Sequence, residues 1–156
     1  ARGLGISIQI TAIDINSKML KMAKDEICEY PEIRLVQCDV LALPFKDERF
    51  DLAVNNLSLH HFTWDNAVAI LKSIYKSARL GFLVNDLHRS RIAHAVIFLL
   101  TRIFTRNRLT RYDAPVSVMN AFTPSEFREL AIQAKIYPFE IQRHFPYRIA
   151  FLGKKK

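Results

Sequence analysis

The stretch ISIQITAIDINSKML, residues 6–20, decides the fold. Ile8, Ile10, Ala12 and Ile13 form a run rich in β-branched residues that stops at Asp14, the length and composition of a buried parallel strand. Asn16 or Ser17 then offers a side-chain oxygen to cap a helix reaching Glu29, with Met19, Leu20, Met22, Ala23 and Ile27 as its core-facing side. Pro31 ends that helix. Asp14 therefore sits between a strand and a helix, where it has two physical uses. It can complement the positive end of the helix dipole, or accept hydrogen bonds from the two hydroxyls of a nucleotide ribose. Taken alone, the stretch favours neither.

Working outward, Ala1 to Gly5 read as the end of a helix and its glycine stop. Downstream, Ile33 to Cys38 form a second strand that ends at Asp39. The polar turn Pro44 to Arg49 leads to a third strand, Phe50 to Asn55. Trp64 to Ala78 has helical spacing through Val68, Ile70, Leu71, Ile74 and Tyr75, and Leu80 to Asn85 is a fourth strand. This alternation predicts an α/β fold with a Rossmann-like, doubly wound, mostly parallel sheet. Ligands of such sheets bind beyond the carboxyl ends of the strands. Those ends carry Asp14, Asp39, Asn55 with Asn56, and Asn85 with Asp86.

After Asp86 the rhythm breaks. An apolar helix from Ser90 to Phe104 is followed by an irregular basic segment, Thr105 to Asn120. Thr123-Pro124-Ser125-Glu126 is a capping box with proline in the first turn, opening a helix to Ala134. Ile136 to His144 and Tyr147 to Leu152 are strands separated only by Phe145 and Pro146, hence an antiparallel terminal hairpin. The expectation is one domain over residues 1–156, with residues 87–122 inserted as a lid or substrate-binding segment.

The 156 residues are half hydrophobic and 24% charged, an ordinary soluble composition, with a formal charge of +8. Cys28 and Cys38 lie in apolar stretches without metal-ligand spacing and read as reduced core thiols of a cytoplasmic protein. The excess positive charge gathers between Arg89 and Arg111 and at Lys154, Lys155 and Lys156. It flanks an apolar helix rather than interleaving with aromatic residues along one element, which speaks against nucleic acid. An anionic substrate, a solvated rim or peripheral contact with a membrane surface all remain compatible with it. The apolar run Ile92 to Leu100 is too short to span a bilayer, and no signal peptide is recognisable. The histidines are too scattered for a metal site.

The order of the strand ends narrows the choice for Asp14. Cys38-Asp39-Val40-Leu41-Ala42-Leu43-Pro44-Phe45 is followed by Phe50-Asp51-Leu52-Ala53-Val54-Asn55-Asn56-Leu57-Ser58-Leu59-His60-His61-Phe62. With Asp14 in register ahead of them, these motifs resemble the class I S-adenosylmethionine-dependent methyltransferases, in particular the subgroup of ubiquinone and menaquinone methylases. The likeness runs from Ile8 to Ala134 and more loosely to the end. It implies that Asp14, with Ile15, meets the ribose hydroxyls of S-adenosylmethionine and that Met19 packs near the adenine. It implies that Asp39 accepts from the adenine amino group, with Val40 adding a backbone contact, and that Asn55 and Asn56 lie under the methionyl part. His61 matches a histidine common in such enzymes; His61 and His88 are the candidate bases, suited to proton transfer near neutral pH. His60, Arg89, Arg111, Tyr112 and Asp113 are the substrate-side candidates. Simpler uses stand beside these: Asp39 as a loop cap, the histidines as structural groups, and the basic segment as a solvated loop.

The resemblance also implies a glycine-rich turn that this sequence lacks. Gly3 and Gly5 precede the first strand, and the remaining glycines are Gly81 and Gly153. The expectation is a chain without the family's first strand and cofactor loop, binding cofactor weakly if at all. The expected reaction is methyl transfer to a small molecule, quinone-like or phenolic. The alternatives are an inactive methyltransferase-like binding or scaffold domain, an RNA methyltransferase, or a Rossmann protein with another nucleotide cofactor. The absence of an Asn/Asp-Pro-Pro-aromatic motif after the third strand counts against RNA.

Overall fold

A computed structural model describes residues 5–155, so Ala1 to Leu4 and Lys156, with the helix end expected before Gly5, lie outside the described residues. The chain divides into two compact units, up to Pro44 and from Phe45 onward.

The first unit is a β-α-β turn. Strand β1 (Ile10–Asp14) pairs in parallel with β2 (Ile33–Gln37), in register from Ile10↔Ile33 to Asp14↔Gln37. Between them runs α1 (Ser17–Glu26), capped by Asn16, whose side chain accepts from the amides of Lys18 and Met19. Helix α1 packs on both strands, turning Leu20, Ala23 and Ile27 inward. Met19 and Met22 are exposed, which corrects the expectation that they are core. At about 100° per residue, Leu20, Ala23 and Ile27 fall within about 60° of one another, whereas Met22 lies nearly opposite them. No residue of this unit is buried among those described, so β1 is a half-covered strand rather than a fully buried one. Cys28, just past the helix, is exposed rather than core, and both thiols are free. Burial and the neighbouring Asp39 carboxylate push the Cys38 thiol up.

The second unit is built on a four-stranded sheet of β3 (Phe50–Asn56), β4 (Ala78–Leu87), β5 (Phe139–His144) and β6 (Arg148–Lys154), in the order β3-β4-β6-β5. β3 and β4 are parallel; β6 is antiparallel to both β4 and β5. The terminal hairpin is as expected. The parallel strands, however, are divided between two sheets: among the described residues β1 pairs only with β2, and β3 only with β4. Helices α2 (Trp64–Ser77) and α5 (Pro124–Gln133) pack on the four-stranded sheet and on each other. Ile70, Leu71, Leu130, Ile149 and Phe151 are fully buried there, each worth about 1.5–3 kcal/mol of transfer energy. Phe151 anchors an aromatic cluster, with ring centroids 5.2 Å from Phe82, 5.8 Å from Phe127 and 5.9 Å from Phe139.

Two expectations change here. β5 begins at Phe139, because Ile136 closes helix α5 instead. Lys135 adopts φ 57°, its amide bonds Ile132 O at 3.0 Å, and the Ile136 amide reaches Ala131 O at 3.0 Å, a Schellman ending with a buried apolar residue behind it. The segment expected to be irregular is mostly helical. After α3 (Arg91–Phe104), helix α4 (Arg108–Asn120) runs through Pro115. A proline inside a helix removes one backbone hydrogen bond and costs about 3 kcal/mol. Three features offset it. Asn107 caps α4 by accepting from Leu109 and Thr110, Pro115 and Val118 are buried, and Arg111 ties α4 to the end of α3 through Arg102 O and Thr105 O. No described helix is long and apolar enough to cross a membrane.

Candidate functional site

In the first unit, Asp14 and the residue before Asp39 are joined directly: the Cys38 amide donates to Asp14 O at 3.2 Å. The two aspartates thus stand at the same end of adjacent parallel strands, about 4.8 Å apart across the pair. Asp39 lies two residues beyond Asp14's partner Gln37, about 6.5 Å further along. Asp14 Oδ1 accepts from the Asn16 amide at 2.7 Å, and Asp39 Oδ1 accepts from the Leu41 amide at 2.8 Å. Asp39 caps the short 3-10 turn Val40–Ala42, as its simpler reading anticipated. Each carboxylate is thereby held in place by one oxygen while Oδ2 keeps its accepting capacity. Both side chains are half-buried, which limits their motion without sealing them off. Ile15 is exposed and its carbonyl is bound by Gln37 Nε2 at 3.2 Å.

In the second unit the polar residues gather at the carboxyl ends of β3 and β4. Asn55 is buried and donates Nδ2 to Ser58 Oγ at 2.8 Å, while its Oδ1 is enclosed without a partner. Asn56 is exposed and accepts from Asn85 Nδ2 at 2.7 Å. Leu57 follows at φ 54°, its amide bonded to Asn85 O at 2.8 Å, so the chain turns sharply from β3 into the 3-10 turn Leu59–His61.

That turn delivers His60 to Asp86. The carboxylate is 1% exposed. Its Oδ1 lies 2.5 Å from His60 Nδ1 and accepts from the Leu87 amide at 2.7 Å, and its Oδ2 accepts from the His60 amide at 3.1 Å. Nδ1–H is therefore the donor, and Nε2 is left as the free acceptor of the ring. Of the two adjacent histidines, His60 is the one whose ring Asp86 holds. His61 is exposed; its amide bonds Ser58 O at 3.1 Å, while its ring has no hydrogen bond among the described residues and stacks on His60 with centroids 4.1 Å apart. His88 is half-buried; burial first, and then the Arg143 charge, pull its pKa below the ordinary value.

The substrate-side candidates on either side of α3 have separate partners. Arg89 is paired with Glu126, whose carboxylate also serves the Thr123 cap. Arg111 is spent on the α3 carbonyls, and Tyr112 and Asp113 are exposed on α4. Asp86 was named from sequence only as a strand-end residue. Its acidity at the end of β4 was the available signal, but its partner lies 26 residues upstream.

A sequence profile of the methyltransferase domain family matches residues 1–81. The demethylmenaquinone methyltransferase of Lysinibacillus sphaericus is 27% identical over 90 residues, 58% of this chain and 38% of that protein. A 2-phytyl-1,4-naphthoquinone methyltransferase from a Nostoc species is 36% identical over 66 residues, 40% of this chain and 29% of that protein. The matched stretches thus span 38% and 29% of the length of these two relatives. Among solved structures, a SAM-dependent methyltransferase from Aquifex aeolicus superposes with a TM-score of 0.70 at 12% identity, covering 97% of this chain and 71% of that one. That likeness shows the fold.

Proposed function

As this chain belongs to the methyltransferase domain family, with the profile match covering residues 1–81, we propose that it serves S-adenosylmethionine-dependent methyl transfer to a small-molecule acceptor. The observation that carries this reading is the pair of half-buried carboxylates on adjacent parallel strand ends, each fixed through one oxygen only. A ribose diol and an adenine amino group are hydrogen-bond donors, and such a pair is suited to accept from them. Bound S-adenosylmethionine supplies a methyl group already activated as a sulfonium.

The chain's own task is then orientation and proton handling. His60, fixed by Asp86 through Nδ1, presents Nε2 to an acceptor hydroxyl or acidic carbon and takes its proton as the nucleophile forms. Asp86 acts as a positioning residue: it sets the tautomer and offsets the charge gained by the ring. The names of the two relatives favour a quinone-like acceptor in its reduced, phenolic form. The reading includes a cytoplasmic setting, where free thiols such as Cys28 and Cys38 stay reduced.

The test is thermal unfolding with S-adenosylhomocysteine, paired with transfer of labelled methyl from S-adenosylmethionine to a reduced naphthoquinone. Stabilisation by the nucleoside together with labelled product supports the reading. No stabilisation at millimolar ligand overturns it.

A further inference from the structure

Helices α3 and α4 are inverted. The side chains α3 buries are small or polar, Ala93 and Thr101, while its large apolar residues face solvent. Ile92, Val96, Leu99 and Ile103 recur at i, i+4, i+7 and i+11 and so fall within about 60° of one another around the helix. All four are exposed, Ile103 by 62%. On α4 the same holds for Leu109, Tyr112, Val116 and Met119, which share one face within about 80°. Leu109 is 76% exposed. Two packed helices therefore each carry an apolar stripe without a partner among the described residues, where a surface helix ordinarily turns its polar side outward.

Charge identifies what this surface suits. Between His88 and Phe122 there are six arginines and a single carboxylate, Asp113. Arg91 and Arg102 lie beside the α3 stripe, and Arg106 and Arg108 sit in and next to the connection to α4. The Arg102 guanidinium stands 3.3 Å over the Phe98 ring, a cation held against an exposed aromatic face. Apolar stripes edged by arginine and almost free of acid match the boundary between acyl chains and anionic headgroups. With 14 residues α3 is about 21 Å long, shorter than the hydrocarbon core of a bilayer, so the helix lies along the surface.

We propose that the α3–α4 hairpin docks this protein on an anionic lipid bilayer, with the two apolar stripes in the interface and the arginines among the headgroups. This contact stands apart from the methyl-transfer reading, because vesicle binding and turnover are separate measurements.

The test is flotation of the full chain with vesicles of phosphatidylcholine alone and of phosphatidylcholine mixed with phosphatidylglycerol. The chain floats with the mixed vesicles, and added salt releases it. One exposed arginine contributes about 1 kcal/mol, or about fivefold in partitioning, so Arg106→Glu with Arg108→Glu weakens binding by more than about 25-fold. Leu99→Glu with Ile103→Glu abolishes it, and circular dichroism shows both doubles folded, since the four side chains are exposed. Three outcomes overturn the proposal: no flotation with either vesicle, flotation that survives both double variants, or sedimentation as a dimer that Leu99→Glu with Ile103→Glu dissociates, which would make the stripes an interface between copies.

Discussion

Asp86 grips His60 twice, accepting its backbone amide at 3.1 Å with one oxygen and facing its Nδ1 at 2.5 Å with the other. With both side chains buried, the ring is held in one tautomer and one orientation. Removing the His60 ring takes one donor from a buried carboxylate that keeps two backbone amides, and losing such a hydrogen bond costs about 1–3 kcal/mol. His60→Ala is therefore expected to lower stability by that order in urea unfolding. His60→Gln, which keeps a hydrogen-bonding group at the site, costs less stability yet lowers methyl transfer about a hundredfold or more. His61→Gln, whose ring nothing holds, leaves transfer close to the wild type. The reverse ranking of the two glutamine variants would assign the proton to His61.

The ending of α5 offers a gain in stability. Lys135 occupies left-handed backbone at φ 57°, which costs a side-chain-bearing residue about 1–2 kcal/mol. Glycine removes that strain and adds back some unfolded-state entropy. Lys135→Gly is expected to stabilise by about 0.5–1 kcal/mol, read as a higher urea midpoint at unchanged slope.

The opposite holds where β4 meets β6. Gly81 has φ 150°, and a Cβ there would lie 2.3 Å from Gly153 O, a main-chain atom that cannot rotate away. Gly81→Ala should cost about 1–3 kcal/mol or more and loosen the β4–β6 pairing. Amide exchange across Gly81↔Lys154 and Phe82↔Gly153 is expected to speed up.

Acid weakens the fold through two groups. Burial drives the Glu126 carboxyl up, but hydrogen bonds from the Thr123 amide and hydroxyl and from Arg89, with the Arg89 charge, outweigh it and hold the pKa below the ordinary 4.5. The stability it supplies is complete above 4.5 and is lost as the pH falls through the lower folded value. For His88 the fold favours the neutral ring, so stability is full above 6.5 and declines as the pH drops below it. In urea titrations, Glu126→Gln should flatten the curve below 4.5 and His88→Gln the segment beneath 6.5. Slopes unchanged in both variants would contradict these assignments.

The strand–helix alternation was legible because each element repeats a local rule. β-branched runs ending in Asp14 and Asp39, the Thr123–Glu126 capping box and the Phe145–Pro146 turn all depend on neighbours in sequence. Helix α4 was hidden by Pro115 and by apolar residues that face water rather than core, so its period had no recognisable inner side. Met19 and Met22 misled for a related reason: helical spacing shows that residues share a face, not which face is covered. At the candidate site the strand-end carboxylates could be located from sequence, since the ends of strands fix them. Which of His60 and His61 is held by a carboxylate could not. Adjacent residues in a turn point different ways, and only the position of Asp86 across the sheet decides between them.

The central claim is that Asp14 and Asp39 accept the nucleoside of the cofactor. The Asn16 and Leu41 amides donate to those carboxylates, so their proton shifts report directly on what the other oxygens bind. Titrating the isotopically labelled chain with S-adenosylhomocysteine should move both amides together along one saturating curve. Asp14→Asn and Asp39→Asn should each weaken that curve about tenfold, the loss of one charge-assisted hydrogen bond. Shifts that bypass Asn16 and Leu41, or a binding curve indifferent to both substitutions, would contradict it.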